Sequence, residues 1–192
     1  ASGVLTLGIG ASVAVFTLID QVLIKPLPLP DASRVMVVGR SEHSGVGPVS
    51  PLQYQHLRSL DGVISIGLAQ PGAQVNIVGR GPPEVVSATF IDHTLLPTLG
   101  LHPVLGRNFA AQEDQPHGPN VVMLGYGFWR RRYDGNREVL GQALIVNGRA
   151  YTIVGVLPAN FDALDFRADV VLPIELPANS TDDGTNYVAV AR

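Results

Sequence analysis

The chain has 192 residues, enough for one globular domain or two small ones, and 46% of them are hydrophobic, which supplies a sizeable core. Thirteen basic against sixteen acidic residues give a net charge of -3 and a pI near 5.9, so no basic field calls for nucleic acid and no acidic block for a basic partner. The absence of cysteine excludes disulfides, a thiol nucleophile and a cysteine zinc site, and leaves the compartment open.

Residues 1–19 carry no charged side chain, and their Val, Leu, Ile and Phe residues fall on all sides of a helical wheel. Such a helix has no polar face, which predicts a transmembrane helix over 1–24, cut off at its start, with Asp20 near one end. A buried helix of a soluble domain is the alternative. Residues 25–34 come next as a linker. Pro26, Pro28 and Pro30 alternate with leucines, cannot continue a helix, and favour a stiff polyproline II strut that would couple the helix to the remainder of the chain.

Val35 to Val38 reads as a short buried strand and the Gly- and Ser-rich stretch through Gly47 as a loop. Ser50 is a good N-cap, Pro51 suits the first helical position and Gln53 completes a capping box, with Tyr54, Leu57 and Leu60 on one side of the helix. A second apolar run, Val63 to Leu68, makes a split βαβ unit. From Pro71 the character changes. Strands are expected at Val75 to Val78, Glu84 to Phe90 and Val121 to Leu124, helical turns within Ile91 to Leu99, and a fixed loop over Pro97 to Asn108.

Tyr126, Trp129 and Tyr133 then recur at helical spacing, with Gly135 placed to end the helix in a left-handed cap. Asn147-Gly148 lies between two apolar runs and predicts a hairpin with a type I′ turn. A two-residue turn sets Val146 against Arg149 and Leu144 against Tyr151, so Leu144, Val146, Tyr151 and Ile153 share the core face. Ala143, Ile145, Ala150 and Val154 on the other face suggest a sheet partly covered on both sides. Trp129, Gly135, Asn147, Gly148 and Tyr151 are thus the expected structural framework. Val170 to Leu172 is a further strand, Pro177 to Gly184 a polar linker, and Tyr187 to Arg192 a strand whose partner is expected to be missing.

No catalytic residue is expected, and no cofactor or metal. His43, His56, His93, His102 and His117 show no ligand spacing, and neither a Gly-x-Ser-x-Gly elbow nor a phosphate-binding loop is present. Glu113-Asp114 and Asp182-Asp183 read as solvated loop acids, while Arg130 to Arg132 are expected to cover their helix with their stems and pair with acids.

Gly8-Ile9-Gly10-Ala11, Leu23 to Pro28, Pro30-Asp31 and Arg34-Val35 resemble the first membrane helix and its exit in MacB/FtsX-type ABC transporter permeases. Leu99-Gly100-Leu101, Pro103, Leu105-Gly106-Arg107, Phe109 and Glu113-Asp114 are similar to a run of the same family. So are Tyr126-Gly127, Trp129, Arg131-Arg132, Asn147-Gly148, Tyr151, Val154-Gly155-Val156 and Phe161. Gly125 departs from it, since serine commonly stands there. The resemblance implies an α+β fold: a transmembrane helix, a mixed α/β base (35–70 plus 185–192, about half of it present) and an inserted β-rich subdomain (71–184). It also implies a non-catalytic periplasmic domain of a bacterial inner-membrane permease that transmits ATP-driven motion. The partners implied are a cytoplasmic ABC ATPase, a periplasmic membrane-fusion adaptor and a second copy in a homodimer. A membrane-anchored hydrolase using the acidic pairs, or a periplasmic binding module, is the alternative.

Overall fold

The computed structural model describes residues 29–42, 45–60, 62–164, 166, 168–177 and 180–192. The expected transmembrane helix over 1–24, Pro26, Pro28 and His43 lie outside them. Among the described residues no helix is long and apolar enough to cross a membrane.

The base grows from local signals. Helix α1 (Pro51–Leu57) starts as its sequence dictates: Gln53 N–H donates to Ser50 Oγ at 3.2 Å, and Ser50 N–H returns to Gln53 Oε1 at 3.0 Å. It packs on strands β1 (Met36–Val38), β4 (Ile66–Val78) and β11 (Val188–Ala191) through a cluster holding Val49, Tyr54, Ile66, Leu68, Ala189 and Ala191. Strand β11 lies between β1 and β4 and is antiparallel to both, so β1 and β4 run parallel with one strand inserted, the split βαβ arrangement. The terminal strand therefore has partners on both sides, contrary to expectation. Those partners lie more than 100 positions upstream, where no local pattern could reveal them.

Three further expectations give way to the structure. Strand β1 is not buried: it forms the sheet edge, and Met36 and Val37 are 60% and 51% exposed. The expected loop before Gly47 is a small hairpin of β2 (Arg40–Glu42) and β3 (Gly45–Gly47). The runs on either side of Pro71 are one strand, because an irregularity between Gln70 and Ala73 absorbs Pro71 and Gly72, the latter at φ +87°.

The other strands are β5 (Glu84–Ile91), β6 (Leu105–Gly106), β7 (Val121–Leu124), β8 (Ala143–Val146), β9 (Arg149–Val156) and β10 (Val170–Pro173). The sheet runs β1-β11-β4-β5-β10-β7-β9-β6, and β8 joins β9 back to β4. Pairing therefore closes a ring, β4-β5-β10-β7-β9-β8-β4, and the β-rich part is a barrel without free edges along that path. Its interior takes alternate residues of each strand, among them Ile77, Ala88, Leu124, Leu144, Ile153 and Val170. Helix α3 (Tyr126–Tyr133) adds Phe128, Trp129 and Tyr133 to this cluster. Burying a side chain such as Phe128, only 1% exposed, contributes about 1.5–3 kcal/mol. Helix α2 (Leu95–Leu99) covers the outer face with Leu95, Leu96 and Leu99 against Ile91, Met123 and Val171.

The Asn-Gly hairpin forms in the expected register, Val146 opposite Arg149 and Leu144 opposite Tyr151, with φ +48° at Asn147 and +80° at Gly148. Leu144, Val146 and Ile153 are buried and Tyr151 is partly so. The opposite face is less covered than expected. Ala143 and Ala150 are exposed, and Val154 alone of the four packs against a core cluster.

Asn147 has a second task. The seam between β8 and β4 has only two paired positions, Ile77 with Val146 and Val78 with Ile145. Asn76 N–H donates to Asn147 Oδ1 at 2.9 Å, and Asn147 N–H donates back to Asn76 O at 2.8 Å, which lengthens it.

Candidate functional site

Two places gather buried or converging polar groups. The first is where the described chain enters and leaves the base. Arg192 follows β11 and turns its guanidinium back: Nη2 donates to Pro30 O at 2.9 Å, Nε donates to Thr98 O at 3.0 Å, and Nη1 lies 3.7 Å from Asp31 Oδ2. Gly100, at φ +69°, ends α2 against this junction. A Cβ there would stand 3.1 Å from Arg192 Nη2 and 3.3 Å from Pro30 Cβ. The two ends of the body are thus tied to each other and to α2. Pro30 is the one predicted linker proline within the described residues.

The second place is a buried carboxyl. Asp92, directly after β5, is 5% exposed and joins three elements. It accepts from Leu68 N–H of β4 at 3.1 Å, from the Tyr54 hydroxyl of α1, and from Thr94 Oγ1 at 2.7 Å. Thr94 Oγ1 also lies 2.8 Å from Ile66 O. A hydroxyl hydrogen serves one acceptor at a time, so Thr94 can donate to Ile66 while accepting from a protonated Asp92. Burial pushes the Asp92 carboxyl above its usual range, against the hydrogen bonds from Tyr54, Thr94 and Leu68. Burial likewise raises the Tyr54 phenol, and the Asp92 charge adds to that shift.

Beside it runs a cleft of about 500 Å³ lined by Tyr54, Arg58, Asp92, His93, Asp114 and Leu176 among others. A shallower apolar groove of about 400 Å³ lies along α1, with Val49, Leu52 and Leu57 in its walls.

The acidic pair is not solvated, contrary to expectation. Glu113 is 8% exposed and takes both Arg107 nitrogens at 2.7 Å, which holds its carboxyl below the usual range. Asp114 is 9% exposed. Its Oδ2 accepts from His93 N–H at 2.8 Å and lies 3.0 Å from His93 Nδ1, and its Oδ1 accepts from Ile174 and Glu175 N–H at 3.1 and 3.2 Å. His93, in the turn after β5, is half-buried. These oxygens hold loops together. Among the described residues no three His, Asp or Glu side chains converge to hold a metal.

The helix-hairpin framework belongs to the barrel cluster and takes no part in either place. Trp129 Nε1 donates to Asn136 O at 2.9 Å and its ring meets Tyr126 edge-on at 5.7 Å. The left-handed cap begins one residue earlier than expected, at Asp134 (φ +53°), with Gly135 at +70° continuing it. Arg131 and Arg132 pair with Glu84 at 3.3 and 3.0 Å and lie over the Phe128 ring, as their spacing suggested. Phe128 itself falls outside the Tyr126-Trp129-Tyr133 spacing, which therefore does not reveal it. Asp92 has only one signal in the sequence, a lone acid closing an apolar strand run, which reads as punctuation.

The described residues thus form an α+β body with joined ends, a split βαβ base and a closed β barrel, in which the buried polar groups tie neighbouring segments together. The family model for the MacB-like periplasmic core domain matches residues 3–191, and the chain belongs to that family. It is the periplasmic domain of a MacB-like ABC transporter permease. The periplasmic region of MacB from Actinobacillus actinomycetemcomitans has the same fold, with 14% identity, a TM-score of 0.63, and 89% of this chain and 79% of that one covered. The extracellular domain of the noncanonic ABC-type transporter YknZ from Gram-positive bacteria is similar at 12% identity and a TM-score of 0.56, covering 82% and 81%. No curated protein matches the sequence.

Proposed function

We propose that the domain carries ATP-driven motion of the permease's membrane helices to substrate export or to a periplasmic partner, with no bond chemistry of its own. The observation that supports this most is the junction at Arg192, which ties Pro30 and Asp31 to α2 and the last strand. A displacement brought in through the 25–34 linker acts there on β11, and through β11 on both β1 and β4. In this reading residues 35–70 plus 185–192 form the base that receives the motion. Residues 71–184 form the inserted unit that delivers it, and Pro26, Pro28 and Pro30 are the coupling strut. The domain would stand in the periplasm above a bacterial inner membrane, beside a cytoplasmic ABC ATPase, a membrane-fusion adaptor and a second copy of the permease.

The test is replacement of Pro26, Pro28 and Pro30 by glycine in the full permease complex. ATP hydrolysis should persist while transport falls. Transport at the wild-type rate with ATPase activity intact would refute the strut.

A further inference from the structure

The exposed apolar side chains are unevenly placed. Of the large hydrophobics with substantial exposure, Met36, Val37, Val46, Leu52, Leu60 and Ile64 all belong to the base, against Val78, Val85 and Val104 elsewhere. Three of them share one rim. Met36, Ala191 and Ile66 form the last row of the β1-β11-β4 sheet, and Ile64 N–H donates to Arg192 O at 2.8 Å just beyond that row. Helix α1 runs from the Val49–Tyr187 bridge at the far end of β11 toward this row, so Leu60, just past its C-terminus, arrives at the same end. Met36 is 60%, Leu60 45% and Ile64 71% exposed. Arg34, immediately before β1, is exposed, and so is Arg58, at the end of α1, whose guanidinium lies over the Tyr54 ring at the mouth of the cleft. Asp31, an acid of the same junction, faces Arg192.

This rim is also where the chain comes in from residues 1–28, at Pro30. Large aliphatic side chains flanked by arginines suit the headgroup layer, where the apolar groups sink about 5–10 Å and the cations meet lipid phosphates. We propose that the rim rests on the bilayer surface, with Met36, Leu60 and Ile64 in the interfacial layer and Arg34 and Arg58 against phosphates. The base is then seated on the membrane as well as tethered to it. The inference rests on the reading of the domain as held to a membrane through the 25–34 linker.

The chain contains no cysteine, so single labels can be placed cleanly. Ile64→Cys, Leu60→Cys and, as a far-end control, the exposed Val85→Cys are labelled with a fluorophore in the full permease carrying no other cysteine. The protein is reconstituted in vesicles of phosphatidylethanolamine and phosphatidylglycerol doped with a headgroup-nitroxide phospholipid. Quenching several-fold stronger at 64 and 60 than at 85, and unchanged on dilution with lipid, is the expected result. Equal quenching at all three sites, with the protein retained by the vesicles through a carbonate wash, would overturn this inference alone. Quenching that falls on dilution while the label at 64 stays shielded would assign the rim to a second protein copy instead. Loss of the protein in the wash would overturn the membrane-held reading as well.

Discussion

Asp92→Ala tests whether the polar knot under α1 holds the base together. Removing the carboxyl leaves Leu68 N–H without its acceptor in a site where Asp92 is 5% exposed, and leaves the Tyr54 hydroxyl only the longer bond to Ile66 O at 3.4 Å, whereas Thr94 keeps Ile66 O at 2.8 Å. The stranded Leu68 donor costs about 1–3 kcal/mol, the weakened Tyr54 hydrogen bond adds to it, and relief of the carboxyl's own desolvation offsets part, so a net loss of about 2 kcal/mol is expected. Asp92→Asn keeps an acceptor for Leu68 and turns the other oxygen into a donor that Tyr54 or Thr94 can accept, at a cost of about 1 kcal/mol. Urea unfolding followed through the single tryptophan, Trp129, reports both. A loss below about 0.5 kcal/mol for alanine, or asparagine as damaging as alanine, would refute the knot as a stabilising element. The pH dependence gives an independent check. The folded carboxyl titrates above its ordinary value of 3.8, so its contribution is complete below that pH and is lost as pH rises through the raised value. The asparagine variant should lack that downward slope, and a slope unchanged from wild type would place the titration elsewhere.

Two further substitutions test the backbone. At Gly148 an added Cβ would meet no atom within 4 Å, so Gly148→Val should cost about 1–2 kcal/mol through the positive φ of +80°, and an unchanged melting temperature would contradict the type I′ turn. Gly125→Ser installs the residue that commonly precedes the Tyr-Gly pair, with a side chain that caps helices well. Here a Cβ would stand 2.0 Å from Ala168 O, so the variant should lose more than the roughly 1 kcal/mol a serine cap contributes, and a gain on thermal melting would show that the β7–α3 corner relaxes freely.

The elements read correctly from the sequence are those whose geometry is decided within a few residues. The capping box at Ser50 and the Asn147-Gly148 turn each need particular residue types at fixed offsets, and each turn or cap then fixes its own neighbourhood. The larger failures are non-local. Pro71-Gly72 carries every local mark of a break, yet β4 passes through it because the bulge leaves the pairing with β5 intact on both sides. Glu113-Asp114 looks solvated until Arg107 and the backbone at 174–175 close over it. Ring closure depends on two short pairings between β8 and β4, separated by more than 60 positions, which no periodicity announces.

Among the described residues, β4 is the only strand that belongs both to the βαβ sheet and to the barrel ring. Its 13 residues, at about 3.3 Å each, span about 40 Å, so each degree of tilt at Ile66 displaces Val78 by roughly 0.7 Å. In the proposed transmission of motion the strand would act as a lever whose short arm, Ile66 to Ala69, is paired with β11. A rotation of about 3° would then become a stroke of about 2 Å at the tip. The bulge at Gln70 to Ala73 is where such a lever would bend, and its stiffness sets how much of the stroke survives.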